Sequence, residues 1–118
     1  MIEKLACKLG HRDEQPNIEL AIELCEQEDQ NGIEEIVSGL KGKDKAVIND
    51  CIKVLYEIGY RKPELIAQYA DVFLSNLLSK NNRLAWGSMI ALGTVADLSS
   101  DQIYQKLDIV KKLMKSAV

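Results

Sequence analysis

Residues 81–96 read NNRLAWGSMIALGTVA, and residues 44–59 read DKAVINDCIKVLYEIG. At a displacement of 37 positions the two stretches superpose, with Val54-Leu55-x-x-Ile58-Gly59 falling on Ala91-Leu92-x-x-Val95-Ala96. The segments that precede them superpose at the same shift. Ile33, Ile36, Val37 and Leu40 fall on Ala70, Phe73, Leu74 and Leu77, and Ser38 falls on Ser75. Apolar residues at i, i+3, i+4 and i+7 share one face of a helix. One helix pair cannot bury its own apolar face and stacks on the next, so a pair recurring at this period marks an α-solenoid.

The rest of the chain carries the same helical period. Ile2, Leu5, Cys7 and Leu9 predict a short first helix ending at Gly10. Pro16 suits the first turn of a second helix, which sets Ile18, Ala21, Ile22 and Cys25 on one face and Glu19, Glu23 and Glu26 on another. Asn31-Gly32 is expected to break it, and Ile33–Leu40 is the third stripe. Asp44 predicts the N-cap of a fourth helix, whose stripe Val47, Cys51, Val54 and Ile58 is widened by Ile48, Ile52 and Leu55 and ends at Gly59. A fifth helix opens at Pro63 and buries Ile66, Ala70, Phe73, Leu74, Leu77 and Leu78. The sixth, after the Asn81-Asn82 turn, carries Ala85, Met89, Leu92 and Ala96. Ser99-Ser100 caps a seventh over Ser100–Lys115, with Ile103, Leu107, Val110 and Leu113 or Met114 inside. Links of about two to six residues suit antiparallel neighbours. No segment alternates with period two.

Composition agrees with a helical fold. A chain of 118 residues is one domain and buries roughly two thirds of its unfolded surface. With 47% hydrophobic and 28% charged residues, disorder is excluded as the main state. Seven Gly, two Pro and 5% aromatics are too few for a β-sandwich. The net charge of −3 gives no general reason to expect a polyanion partner. It divides unevenly, with −7 over residues 1–40 and +4 over residues 41–118. Two solvated surfaces account for this; head-to-tail contact between copies is the sharper reading. Cys7, Cys25 and Cys51 lack metal-ligand spacing and sit in apolar patterns, as buried free thiols do in a reducing compartment. The first ten residues do not form a signal peptide, and the longest uncharged run, Leu84–Ala96, is shorter than the about 20 residues a spanning helix needs. The expected compartment is the cytoplasm.

Asn82-Arg83 followed by Ala91-Leu92-Gly93-x-Val95-Ala96 resembles the second helix of a HEAT or armadillo-type repeat. The Trp-Leu-Gly-Tyr pattern of tetratricopeptide repeats and the Thr-Pro-Leu-His of ankyrin repeats are absent. The resemblance is good over 81–97, fair over 44–59 and weak over 17–29. It implies an all-α, right-handed α-α superhelix of about three helical hairpins, with residues 1–118 a single HEAT-like domain or a piece of a longer solenoid. Gly87, Ala91 and Gly93 fit this reading, because an interior Gly costs about 1 kcal/mol against Ala unless close packing requires it. The shift of 37 sets Trp86, Ile90 and Gly93 on Asn49, Lys53 and Tyr56. Polar positions in one repeat are apolar in the next. Either the last helix packs there or an exposed patch awaits another helix.

Catalytic constellations are not legible. His11, the only histidine, stands in a polar loop beside Arg12 and Asp13. HEAT-like iron hydroxylases depend on His-Glu motifs that this chain lacks. The acidic cluster Glu19, Glu23, Glu26, Glu28, Asp29, Glu34 and Glu35 reads as a solvated face, without calcium-loop alternation. HEAT-like DNA glycosylases place Trp, Arg and Asp at a lesion, and Trp86, Arg83 and Asp97 stand near one helix here. The chain is far shorter and its charge is wrong for DNA. Basic strips (Lys45, Lys53, Arg61, Lys62, Lys80 and Arg83; Lys106, Lys111, Lys112 and Lys115) lack the interleaved aromatics of a single-strand binder. The expectation is a non-enzymatic scaffold or adaptor, with no cofactor and no metal, that binds a protein partner. In such solenoids the second helices line the concave surface. The outward positions there are Lys45, Asn49, Lys53, Tyr56, Tyr60, Asn82, Arg83 and Trp86, with Trp86, Tyr56 and Arg83 as anchors. Nucleic-acid binding, as in HEAT-like DNA-repair proteins, and self-association through the C-terminal end are the alternatives.

Overall fold

The computed structural model describes residues 1–10 and 13–96, and this part of the chain is all-helical. Five α-helices run Gln15–Gln27 (α1), Gln30–Gly39 (α2), Lys45–Arg61 (α3), Ala70–Ser75 (α4) and Asn82–Val95 (α5). Short 3-10 turns occupy Ile2–Lys4, Pro63–Leu65 and Ala67–Tyr69. The expected seventh helix lies outside the described residues, as do His11, Arg12 and Asp97. Among the described residues, the other six helices expected from the sequence are five α-helices and these turns.

The 37-residue shift is kept by α3 and α5. Asp44 accepts a hydrogen bond from the Ala46 amide (3.0 Å), and Asn81 from the Arg83 (3.2 Å) and Leu84 (3.3 Å) amides. These side chains satisfy amides that a helix start leaves unpaired. The two caps are 37 positions apart, so α3 and α5 begin in register. Val54, Leu55 and Ile58 are fully buried, and so are their counterparts Ala91, Leu92 and Val95. Helix α3 is the hub. It packs along α1 on one side and α5 on the other and also against α2, while α4 packs on α5. Its buried side is correspondingly wide: α3 buries Cys51, Ile52, Val54, Leu55, Ile58 and Gly59, together with Asp50 and Glu57.

Close approach of α3 and α5 rests on two glycines. A Cβ at Gly87 would stand 2.6 Å from Ile52 Cγ1, and one at Gly59 would collide with the Thr94 side chain. This explains why α3 runs through Gly59 to Arg61 instead of ending there. Gly59 is a contact point, not a stop. Gly87 and Ala91 are buried, as the close-packing reading requires, whereas Gly93 is exposed and no described atom lies within 4 Å of a Cβ placed on it.

The structure corrects other boundaries. No helix fills residues 1–10. The Ala6 amide donates to Asn17 Oδ1 (2.9 Å) and the Cys7 amide to Asp50 Oδ2 (2.9 Å). These side chains take amides that a helix would have used, and Leu5 and Ala6 are buried while Leu9 is exposed. The buried side of α1 is Leu20, Ala21, Leu24 and Cys25, leaving Ile18 and Ile22 half-buried. The α1–α2 break falls before Asn31-Gly32. Glu28 adopts a left-handed conformation (φ 48°), and Asp29 caps α2 by accepting from the Gly32 amide (2.9 Å). The expected fifth helix is broken into the turns Pro63–Leu65 and Ala67–Tyr69 and then α4, and Leu65 and Ile66 are both buried. Helix α4 stops at Ser75, where Ser75 Oγ (2.7 Å) and Asn76 Nδ2 (3.0 Å) both donate to the Val72 carbonyl. Leu78 consequently faces solvent. On α5 the buried residues are Leu84, Gly87, Ser88, Ala91, Leu92 and Val95, and Ala85, Met89 and Ala96 are only half-buried.

Candidate functional site: the α3–α5 groove

Register places the site. Because α3 and α5 start in phase and approach at Gly87, the outward residues of both helices meet along one groove. Asn49, Lys53 and Tyr56 of α3 and Arg83, Trp86, Gly87 and Ile90 of α5 line a depression of about 140 Å³, with Ile52 at its floor. A second depression of about 250 Å³ continues past Asn49 and Arg83 to Ala46, Asp50, Cys7, Ala6, Asp13 and Glu14. The two share Asn49 and Arg83. Asn49 is held in place by Asn81, whose Nδ2 donates to its Oδ1 (2.8 Å).

The groove's electrostatics centre on Glu14, just before α1. One carboxylate oxygen pairs with Arg83 and the other lies 3.5 Å from Lys53 Nζ. Lys53 also faces Glu57 Oε2 at 3.5 Å, and Glu57 pairs with Arg61 at 3.1 Å, so opposite charges alternate at i, i+4 along α3. The Lys53 ammonium sits 4.8 Å from the Tyr56 ring centroid, a cation–π arrangement. Burial pulls its pKa down, but Tyr56, Glu57 and Glu14 outweigh that and hold it above the usual lysine value. Tyr60 meets Tyr56 edge-on, with centroids 5.8 Å apart.

Of the eight residues singled out from sequence, Asn49, Lys53, Tyr56, Arg83 and Trp86 come together here. Tyr60 extends the face through its ring contact. Lys45 and Asn82 are exposed at the first positions of α3 and α5 and do not line the groove. Lys53 is not a free cation: its side chain is only 16% exposed and is paired internally. Trp86 is 54% exposed and Tyr60 60%. Sequence reading missed Glu14, which precedes Pro16 in a polar stretch, and no spacing rule links it to Lys53 or Arg83. It also missed Asp50, a charged residue inside the apolar run of α3, which is a signal in itself.

All three thiols are held in the protonated form more firmly than a free cysteine. Burial first, then hydrogen bonding to Asp50, pushes the Cys7 thiol up to about 11. Burial pushes Cys51 up to about 12 and raises Cys25 as well. A thiol must lose its proton to react. Among the described residues no group of three or more His, Cys, Asp or Glu is placed to hold a metal, and no helix is long and apolar enough to cross a membrane. No protein-family model, curated protein or solved structure matches the chain.

Proposed function

We propose that this chain is a HEAT or armadillo-type solenoid segment that binds a protein partner in the α3–α5 groove, without catalysis, in the cytoplasm. The observation that carries the reading is the groove itself. It gathers a half-exposed Trp, two Tyr and an Arg around an apolar floor. Trp, Tyr and Arg dominate interface energies, and Trp86 and Tyr60 are among the most exposed large apolar side chains of the described residues. The solenoid part of the reading is supported by the shared register of the two caps and by α3 packing between α1 and α5. Three cysteines with no disulfide among them fit a reducing compartment.

Arg83 and Trp86 are the residues to change, because both are exposed. Lys53 is a poor choice, since Lys53→Glu sets a third acid beside Glu14 and Glu57 and perturbs the fold. The test is affinity capture from native lysate with the wild-type chain and with Arg83→Ala/Trp86→Ala. Each change is expected to weaken binding by more than 1 kcal/mol, so the double variant loses the captured protein by more than about tenfold. Both chains should keep one cooperative unfolding transition. Equal capture by both would remove the groove from the binding account.

A further inference from the structure

The charges along the groove form one row. Arg83 pairs with Glu14, Glu14 with Lys53, Lys53 with Glu57 and Glu57 with Arg61. Three cations alternate with two carboxylates, which leaves the row a net charge of +1. Its ends differ from its middle. Arg83 and Arg61 are exposed, Glu14 and Lys53 are half-buried, and Glu57 is buried. Each end also keeps donors in reserve, because a guanidinium carries more N–H groups than one carboxylate can use. Arg83 meets Glu14 through Nη2, and Arg61 meets the Glu57 carbonyl (2.8 Å) and carboxylate (3.1 Å) through Nη1. The other guanidinium nitrogens have no partner among the described residues. The depression beside Arg83 is apolar at Ile52, Trp86 and Ile90, and its charged lining residues are Lys53 and Arg83, both cations. The acids Asp13, Glu14 and Asp50 line the adjoining depression instead.

We infer that the partner presents a segment with an apolar centre between two carboxylate side chains, one meeting Arg83 and the other Arg61. The inference rests on the groove being the docking site and adds the chemistry of what docks. Its spacing follows from α3. Arg83 stands beside Asn49 in the groove, and Arg61 lies twelve positions further along the helix, about 18 Å by the rise of an α-helix. An extended segment covers that distance with two Glu or Asp about five positions apart. Its apolar centre lies over Ile52, Ile90 and the Trp86 ring. Charge-assisted hydrogen bonds to the unused guanidinium nitrogens form without displacing Glu14 or Glu57. A segment with Lys or Arg at those places meets like charge at both ends. A nucleic-acid strand carries a phosphate at every nucleotide and sets some of them against Glu14 and Asp13. Two spaced carboxylates suit the row better than a continuous polyanion.

Trp86 is the chain's only tryptophan, so its fluorescence reports binding of any peptide that lacks aromatic residues. The probes are three synthetic peptides with a Leu-Leu centre flanked by two Glu, two Gln or two Lys at that spacing, and an oligothymidylate of matching length. Each is titrated into the full wild-type chain, Arg83→Gln and Arg61→Gln. The Glu peptide should bind about fivefold more tightly than the Gln peptide, the gain of two rim-exposed ion pairs, and the advantage should fade at high salt. Each arginine variant should cut the advantage to about twofold and still bind the Gln peptide as the wild type does, which separates recognition from loss of fold. The Lys peptide and the oligothymidylate should bind more weakly than the Glu peptide. The ranking on the wild-type chain decides the matter even where a variant fails to fold. Equal affinity for the Glu and Gln peptides, tighter binding of the Lys peptide or the oligothymidylate, an advantage unchanged in both variants, or no response to any probe would each overturn the inference. Whether the groove binds a protein at all is read separately, from lysate capture with Arg83→Ala/Trp86→Ala.

Discussion

A single buried carboxylate ties three parts of the chain together. Asp50 on α3 accepts the Cys7 amide at one oxygen and Asn17 Nδ2 at the other (2.9 Å each), and Asn17 in turn accepts the Ala6 amide. Removing Asp50 strands buried donors, which costs far more than one exchanged hydrogen bond. Asp50→Ala should lower unfolding stability by about 2–4 kcal/mol in a urea titration and leave the Ala6 and Cys7 amides open to hydrogen exchange. Unchanged protection at those two amides would show that the network is incidental. The same network explains why the helix expected over residues 1–10 does not form. The apolar spacing of Ile2, Leu5 and Leu9 is helical, but the amides are claimed by side chains 11 and 43 positions away. Local pattern contains no trace of so distant a competitor.

These two helix starts were legible because caps are local chemistry: Asp44 and Asn81 act two or three residues from where they stand. Helix ends and rotations were less so. Gly59 reads as a terminator in sequence and serves as a contact in the fold, since only α5 reveals what lies opposite it. Leu78 reads as core and is exposed, because Ser75 and Asn76 stop α4 before the stripe reaches it. The α3–α5 contact carries its own prediction. Gly87→Ala forces its new methyl against Ile52 and should cost about 1–3 kcal/mol despite alanine's better helix propensity. Ile52→Ala should cost about 2–5 kcal/mol by itself. In the double variant the retained Ile52 Cβ would lie 3.4 Å from the added methyl, an ordinary contact. The combined cost should therefore fall short of the sum by at least about 1 kcal/mol. Simple additivity of the urea-derived values would mean that the helices do not meet at Gly87.

At the scale of the molecule, α1, α3 and α5 form a connected row, and the groove between the last two is bordered by Glu14 from the start of the first. The uneven charge read from the sequence becomes spatial. Exposed Glu19, Glu26, Glu34 and Glu35 stand on α1 and α2, whereas Glu14 in the groove is paired with Arg83 and Lys53. The groove was partly legible because outward positions repeat with the same period as inward ones. Its internal ion pairs were not, since Glu14 reaches Lys53 and Arg83 only through tertiary packing. The central claim is that a protein partner docks on this face and not on the acidic one. Its most direct test places a photo-crosslinking phenylalanine derivative at Tyr60, or in a second chain at Glu35, and irradiates each in native lysate. The account predicts a discrete covalent adduct from position 60 and none from position 35. An adduct formed through position 35 but not through position 60 would contradict it.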